Sequence, residues 1–181
     1  MEKISILMES LRRTDSYSVA ADQKASFTLA AGIAYLGIYA SIFYSIISDK
    51  EVNLPISFSI SVIGLVIVVW VKWFSIIRKV FDPDTTKAQR KSVISFVSII
   101  KNDKSLDELI DTYTQIEEQD QRVNNLTRLE CDLLENHWIC SKICLNKMEN
   151  FKSSLNWLLL ALGTSVLGLA LIAFYLNFLA T

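Results

Sequence analysis

Three long segments of the chain contain no charged side chain and consist mostly of apolar residues. They are residues 25–47, 54–71 and 155–180, which are 23, 18 and 26 residues long. A helix needs about 20 predominantly apolar residues to cross the roughly 30 Å hydrocarbon core of a bilayer. The pattern therefore predicts three transmembrane helices with the lipid bilayer as their surroundings, and it excludes an ordinary soluble globular domain.

Helical spacing of apolar residues continues outside these segments. Ile4, Leu7, Met8 and Leu11 predict a short amphipathic helix near the N-terminus. From residue 126 to residue 155 apolar positions recur every three or four residues, or at twice that interval, with no Gly or Pro between them. This predicts a long helix that continues into the last span. The apolar run at 92–100 is compatible with a strand or a helix, and both remain open.

The predicted fold is an all-α membrane protein with three transmembrane helices and a small, mostly helical cytoplasmic domain. Its segments are an N-terminal amphipathic helix (1–24), a first transmembrane helix (25–47), a periplasmic loop (48–53), a second transmembrane helix (54–77), a cytoplasmic sensor or assembly region (78–154) and a third transmembrane helix (155–180).

The basic residues predict the orientation of the spans. Of the 18 Lys and Arg residues, all but Lys50 fall before the first span or between the second and third. Basic residues favour the cytoplasmic side. We therefore expect a multi-pass protein of the inner membrane with a cytoplasmic N-terminus and a periplasmic C-terminus. The net charge of −1 gives no indication of a nucleic-acid partner.

The spans contain small residues but no Asp, Glu, Lys, Arg or His. Pumps and ion-coupled carriers need charged groups within the membrane, so these classes are disfavoured. Small residues instead recur along single helix faces, where they allow two helices to approach closely. Such faces serve packing within one subunit or between subunits, and we predict a homo-oligomer. The faces consist of Ala30, Ala34, Gly37 and Ser41, then Ser57, Ser61 and Gly64, then Thr164 and Gly168.

Motifs of catalysis and metal binding are missing from the sequence. There is no nucleophile elbow, phosphate-binding loop or HExxH pattern, so we expect no enzyme and no catalytic residue. His137, Cys140 and Cys144 share one helix face, but a structural zinc site needs four ligands. A packed helix face is the preferred interpretation, and we expect no metal site.

Two short motifs carry a resemblance to a known family. Asp22-Gln23-Lys24-Ala25 stands immediately before the first span, and Ser141-Lys142-Ile143-Cys144-Leu145-Asn146-Lys147 precedes the last. With the order of the spans, these motifs resemble the transmembrane effectors of Pycsar antiphage defence (PycTM) over about residues 15–175. The resemblance implies an effector that senses a cyclic pyrimidine mononucleotide, cUMP or cCMP, and impairs the inner membrane to abort infection.

A nucleotide ligand would need a cation for its phosphate and an aromatic ring for its base. Each candidate also has a structural interpretation, because cations anchor spans at anionic lipid and aromatic rings fill small cores. The candidate ligand-binding residues are Arg78, Lys79, Arg90, Lys91, Phe96, Tyr113 and Trp138.

The junction residues Asp22 and Lys24 suggest a gating role. A carboxylate near the membrane is costly unless it is paired, so we expect a structural ion pair that holds the inactive state. The expected partners of Asp22 are Lys24, Arg78 or Lys152. Two other functions remain open at this level: a constitutive membrane-anchored helical scaffold, and a holin-like pore former without ligand sensing.

Overall fold

The computed structural model describes residues 2–49, 54–82 and 126–178, with shorter stretches at 92, 94–95, 99, 105–108 and 110–111. Three long helices account for most of these residues: α1 (Glu2–Ser48), α2 (Ile56–Phe81) and α3 (Arg128–Phe178). The described residues are 93% helical and contain no strand. All three helices are long and apolar enough to cross a membrane. These findings confirm the predicted all-α membrane fold and the long helix that forms the last span.

Hydroxyl side chains are accommodated within α1 without breaking it. Thr14, Ser16, Ser26 and Thr28 each donate a hydrogen bond to the carbonyl four residues earlier, at 2.8–3.0 Å. This bonding satisfies each hydroxyl locally while the backbone stays helical. Neither Gly nor Pro occurs before Gly32. The segments 1–24 and 25–47 consequently form one continuous helix of 47 residues.

The ends of the helices follow from local sequence. Pro55 precedes α2, where the missing amide hydrogen costs little. Thr127 and Glu130 form a capping box at the start of α3: the Thr127 amide donates to Glu130 Oε2 at 2.8 Å, and the Glu130 amide donates to Thr127 Oγ1 at 3.3 Å. In the segment 92–100, the Ile99 amide donates to the Ser95 carbonyl at 2.9 Å, which is an α-helical bond.

The chain divides into two compact units. One, here called the head unit, consists of Met1–Ala20 and Pro83–Asn146, and the other, here called the membrane unit, consists of Ala21–Asp82 and Lys147–Thr181. Both α1 and α3 contribute residues to each unit. In the head unit, α3 buries Leu133, Ile139 and Cys144.

The core of the membrane unit is built around one stripe of α2. Trp70 and Trp73 lie at its centre, edge to face, with ring centroids 5.2 Å apart. The Trp70 Nε1 donates a 3.0 Å hydrogen bond to Ser165 Oγ on α3, and both residues are buried. A hydrogen bond between helices satisfies an indole N–H that lipid cannot satisfy. The buried stripe consists of Val62, Val66, Trp70, Trp73, Ile77 and Val80.

Only some of the small residues pack inside the membrane unit. Gly168 lies against Val62 and Tyr39, and Gly32 lies beneath the Trp73 ring. Ala30, Ala34, Gly37 and Ser41 are instead exposed along α1, as are Ser57, Ser61 and Gly64 on α2. Packing within one subunit therefore explains why a small residue stands at position 168. It does not explain the small residues on the exposed faces of α1 and α2.

Candidate functional site

An ion pair joins α1 and α3 within the membrane unit. Lys147 Nζ donates to both carboxylate oxygens of Asp22, at 2.8 Å to Oδ1 and 2.7 Å to Oδ2. The Lys147 side chain is only 18% exposed, and that of Asp22 is 38% exposed. A partly desolvated pair of charge-assisted hydrogen bonds is stronger than an ordinary surface ion pair.

The residues on either side of Asp22 bring α1 into the core. Ala21 and Ala25 are both buried, and Ala25 belongs to the main apolar cluster of the membrane unit. Because these positions are four apart, they lie on one face of α1 beside Asp22. Small side chains on that face allow close approach. In the Asp22-Gln23-Lys24-Ala25 motif, the alanine thus packs in the apolar cluster, and the aspartate forms the ion pair with Lys147.

The partner of Asp22 differs from all three expected residues. Lys24 is exposed, and residues two apart on a helix do not face each other. Arg78 is exposed, and its Nε lies 4.0 Å from Oδ1 of Asp82, the residue that follows α2. Lys152 follows Lys147 by more than one helical turn and is also exposed. The expectation of an ion pair was right, but the partner was wrong: it is Lys147, in the second motif of the resemblance.

The described candidates for nucleotide binding lie in separate units. Arg78 and Lys79 are exposed in the last turn of α2, in the membrane unit. Trp138 belongs to the head unit and is 61% exposed, with Lys142 Nζ 5.6 Å from its ring centroid. The other four, Arg90, Lys91, Phe96 and Tyr113, lie outside the described residues.

A cavity of about 880 Å³ lies within the head unit. Residues of α1 form one wall, and Asn136 and Cys140 of α3 contribute to another, together with Ile94. The cavity thus combines apolar surface with amide, hydroxyl and charged groups. Its lining consists of Ser5, Met8, Glu9, Leu11, Arg12, Asp15, Ile94, Asn136 and Cys140.

Two arginines converge on the Glu9 carboxylate: Arg12 lines this cavity, and Arg13 lines a neighbouring pocket that shares Ser5 and Glu9 with it. Arg12 Nη2 lies 3.0 Å from Glu9 Oε2, and Arg13 Nε donates to Glu9 Oε1 at 3.1 Å. The hydrogen bond from Arg13, and next the one from Arg12, lowers the pKa of the Glu9 carboxyl below its ordinary value. Glu9 therefore remains ionised at neutral pH. Two positive charges on one negative charge leave these three side chains with a net charge of +1, which the Asp15 carboxylate in the cavity lining balances.

A hydrogen bond of 2.8 Å joins Ser10 Oγ on α1 to His137 Nε2 on α3. Near it, burial and, to a smaller extent, the Asp15 carboxylate raise the pKa of the Cys140 thiol, so this thiol is protonated at neutral pH. Among the residues described, no group of three or more His, Cys, Asp and Glu side chains is arranged to hold a metal ion.

Sequence reasoning did not identify this cavity or the residues that line it. The spacing of Glu9, Arg12 and Arg13 at i, i+3 and i+4 is visible in the sequence and favours ion pairs on one helix face. That pattern alone is typical of a solvated helix surface. The opposite wall comes from Asn136, more than 120 residues later, which the pattern could not indicate.

Comparison with known proteins identifies the family. The family model of the Pycsar effector protein domain, PycTM, matches residues 6–176, nearly the whole chain. No match was found among curated proteins or among solved structures. The match includes both short motifs and all three long helices. The chain therefore belongs to the PycTM family of non-enzymatic transmembrane effectors, and it is a membrane effector of Pycsar antiphage defence.

Proposed function

We propose that this effector binds a cyclic pyrimidine mononucleotide, cUMP or cCMP, and in response impairs the bacterial inner membrane, so that infection is aborted. Membership of the PycTM family supports the role in defence. The observation that carries the mechanism is that α1 and α3 are each unbroken helices shared by the head unit and the membrane unit.

Helix continuity provides a physical route from ligand to membrane. A ligand in the head unit that moves residues of α1 or α3 displaces the same helices where they cross the bilayer. It does so only if it binds one arrangement of the helices more tightly than the other. A difference of about 1.4 kcal/mol changes the ratio of the two arrangements tenfold.

The proposed orientation has the N-terminus in the cytoplasm and the C-terminus in the periplasm. It rests on the distribution of Lys and Arg along the chain. The head unit then faces the compartment in which a cyclic nucleotide is made. Large apolar side chains exposed on the three helices, such as Ile38, Val68 and Phe174, suit contact with lipid.

Nucleotide-triggered leakage of oriented vesicles tests the function and the orientation together. We expect cUMP or cCMP to release an encapsulated dye from inverted inner-membrane vesicles that contain the protein, and not from right-side-out vesicles, because a charged nucleotide does not cross the bilayer. Purine cyclic nucleotides serve as the control.

The outcomes separate the alternatives. Leakage that depends on protein concentration but not on nucleotide would favour a holin-like pore former. No leakage under any condition would favour a constitutive scaffold. A response confined to right-side-out vesicles would overturn the proposed orientation, while the proposed ligand would stand.

We also propose that the active form is a homo-oligomer. The described spans carry no charged side chain within their apolar segments, so one copy offers no hydrated path, and permeability requires several copies or a bilayer defect. The exposed face formed by Ala30, Ala34, Gly37 and Ser41 supports contact between copies, because small residues let helix backbones approach.

Gly37→Leu tests this face. Beyond its own turns of helix, a Cβ at position 37 meets no atom of the described residues within 4 Å, so the substitution leaves the packing of those residues undisturbed. We expect it to reduce the oligomeric fraction several-fold in native mass spectrometry, by keeping neighbouring helices apart. Gly163→Leu, at an equally open position on α3, is the matched control. Monomers alone in the unmodified protein, with and without nucleotide, would contradict the proposal.

A further inference from the structure

We propose that the head-unit cavity is the nucleotide site, with Arg12 taking the phosphate, Arg13 adding to it from a neighbouring pocket that shares Ser5 and Glu9, and Asn136 contacting the base. This inference rests on the proposed function and specifies where the ligand binds. The cavity volume of about 880 Å³ falls within the roughly 300–1,000 Å³ typical of small-molecule sites. All of its described lining residues belong to one compact unit.

The walls of the cavity match the two ends of a nucleotide. Met8, Leu11 and Ile94 provide apolar surface for the faces of a base. The Asn136 side chain presents both a donor and an acceptor, which the edge of a pyrimidine requires. A pyrimidine ring is smaller than a purine, so a single amide can contact much of its polar edge.

Glu9 occupies the place that a phosphate would take. Its carboxylate lies between Arg12 and Arg13 and accepts from both guanidinium groups. Guanidinium groups bind carboxylate and phosphate with the same planar geometry. A cyclic monophosphate carries one negative charge, as the carboxylate does. The phosphate therefore competes with Glu9 for the two arginines, and binding releases Glu9 from them.

This competition bears on the two long helices. Glu9, Arg12 and Arg13 lie on α1, whereas Asn136 lies on α3. A nucleotide held at both ends joins the two helices at the cavity. The Ser10–His137 hydrogen bond already links the same helices. The ligand thus acts on the spacing between α1 and α3.

The test compares substitutions that change affinity in opposite directions. Purified full-length protein in lipid nanodiscs is titrated calorimetrically with cUMP, cCMP, cAMP and cGMP. We expect Arg12→Gln to weaken binding of the preferred nucleotide about tenfold or more, the effect of one charge-assisted hydrogen bond. We expect Glu9→Gln to strengthen it several-fold, because the competing carboxylate is gone. Asn136→Leu should weaken binding and narrow the difference between cUMP and cCMP.

A purely structural role of the Glu9 cluster predicts a different result, namely that both substitutions weaken binding. Lys142→Gln removes an exposed positive charge from the same unit and is the matched control for Arg12→Gln. The Arg12 side chain is 78% exposed, so its replacement leaves the fold intact, which circular dichroism checks.

Failure of the site and failure of the function give distinct results. If the unmodified protein binds cUMP or cCMP while Arg12→Gln and Glu9→Gln leave the affinity unchanged, the site is wrong and the function stands. A loss on Arg78→Gln alone would move the phosphate site to the membrane unit. If the unmodified protein binds none of the four nucleotides, the proposed function falls, and the ligand assignment falls with it.

Discussion

Replacing Gly32 by leucine is expected to prevent α1 from packing against α2. A Cβ at this position would overlap the Trp73 ring, which is itself completely buried. Because the Trp73 ring also contacts Trp70 and Phe74 and belongs to the main apolar cluster, a shift of the ring disturbs the core. Overpacking of this kind costs about 3 kcal/mol. We expect a large fall in the thermal midpoint of unfolding in detergent, with loss of much of the membrane-inserted protein in cells.

Gly163→Leu is the control for this experiment. It lies in the apolar segment of α3, outside the proposed contact face between copies, is exposed, and has open space at its Cβ position. Leucine also has a higher helix propensity than glycine. The midpoint should therefore stay the same or rise. An equal fall in the unfolding midpoint for both variants would mean that leucine destabilises the helix itself. The contact between residue 32 and Trp73 would then not be the cause of the fall.

The existence of the three helices was predictable from charge alone. A chain in lipid must satisfy its backbone hydrogen bonds internally, so a charge-free segment of sufficient length becomes a helix. The long α3 was predictable because no Gly or Pro interrupts the helical spacing before Gly163. For the same reason the sequence indicated that α3 continues from outside the membrane into the last span.

The packing of those helices was not predictable from the pattern. Gly32 and Gly37 lie on the same apolar segment, yet one is buried and the other exposed. In water, polarity separates the core face of a helix from its outer face. In lipid both faces are apolar, so the pattern lacks that information. The choice depends on which residues of α2 lie opposite, here the ring of Trp73.

The candidate sites show the same division between local and distant information. The motif around Asp22 was recognised, and a paired carboxylate was expected because a lone one is costly. Its partner Lys147 is 125 positions away on another helix. Selecting it among the available cations requires the register of α1 against α3. The cavity likewise depends on residues from three separate parts of the chain.

Breaking the Asp22–Lys147 pair is expected to lower the nucleotide concentration that triggers leakage. The pair joins α1 to α3 in the membrane unit, and Lys147 is largely buried. Losing a charge-assisted hydrogen bond of this kind costs about 1.5–3 kcal/mol. If the pair stabilises the inactive arrangement, Lys147→Met or Asp22→Ala shifts the balance about tenfold or more towards the active one. Dye release measured against nucleotide concentration gives the threshold.

Two further variants determine whether the pair itself is responsible. Lys152→Met removes an exposed positive charge from the same helix and should leave the threshold unchanged. The double substitution Asp22→Lys with Lys147→Asp restores opposite charges at the two positions. We expect it to return the nucleotide threshold for leakage part of the way to that of the unmodified protein, because coupling between two charges survives their exchange. Nucleotide binding should persist in every variant, with an affinity that rises no more than the balance of the two arrangements shifts, since neither residue lines the head-unit cavity. A folded Asp22→Ala protein that no longer binds nucleotide would instead assign Asp22 to the ligand site.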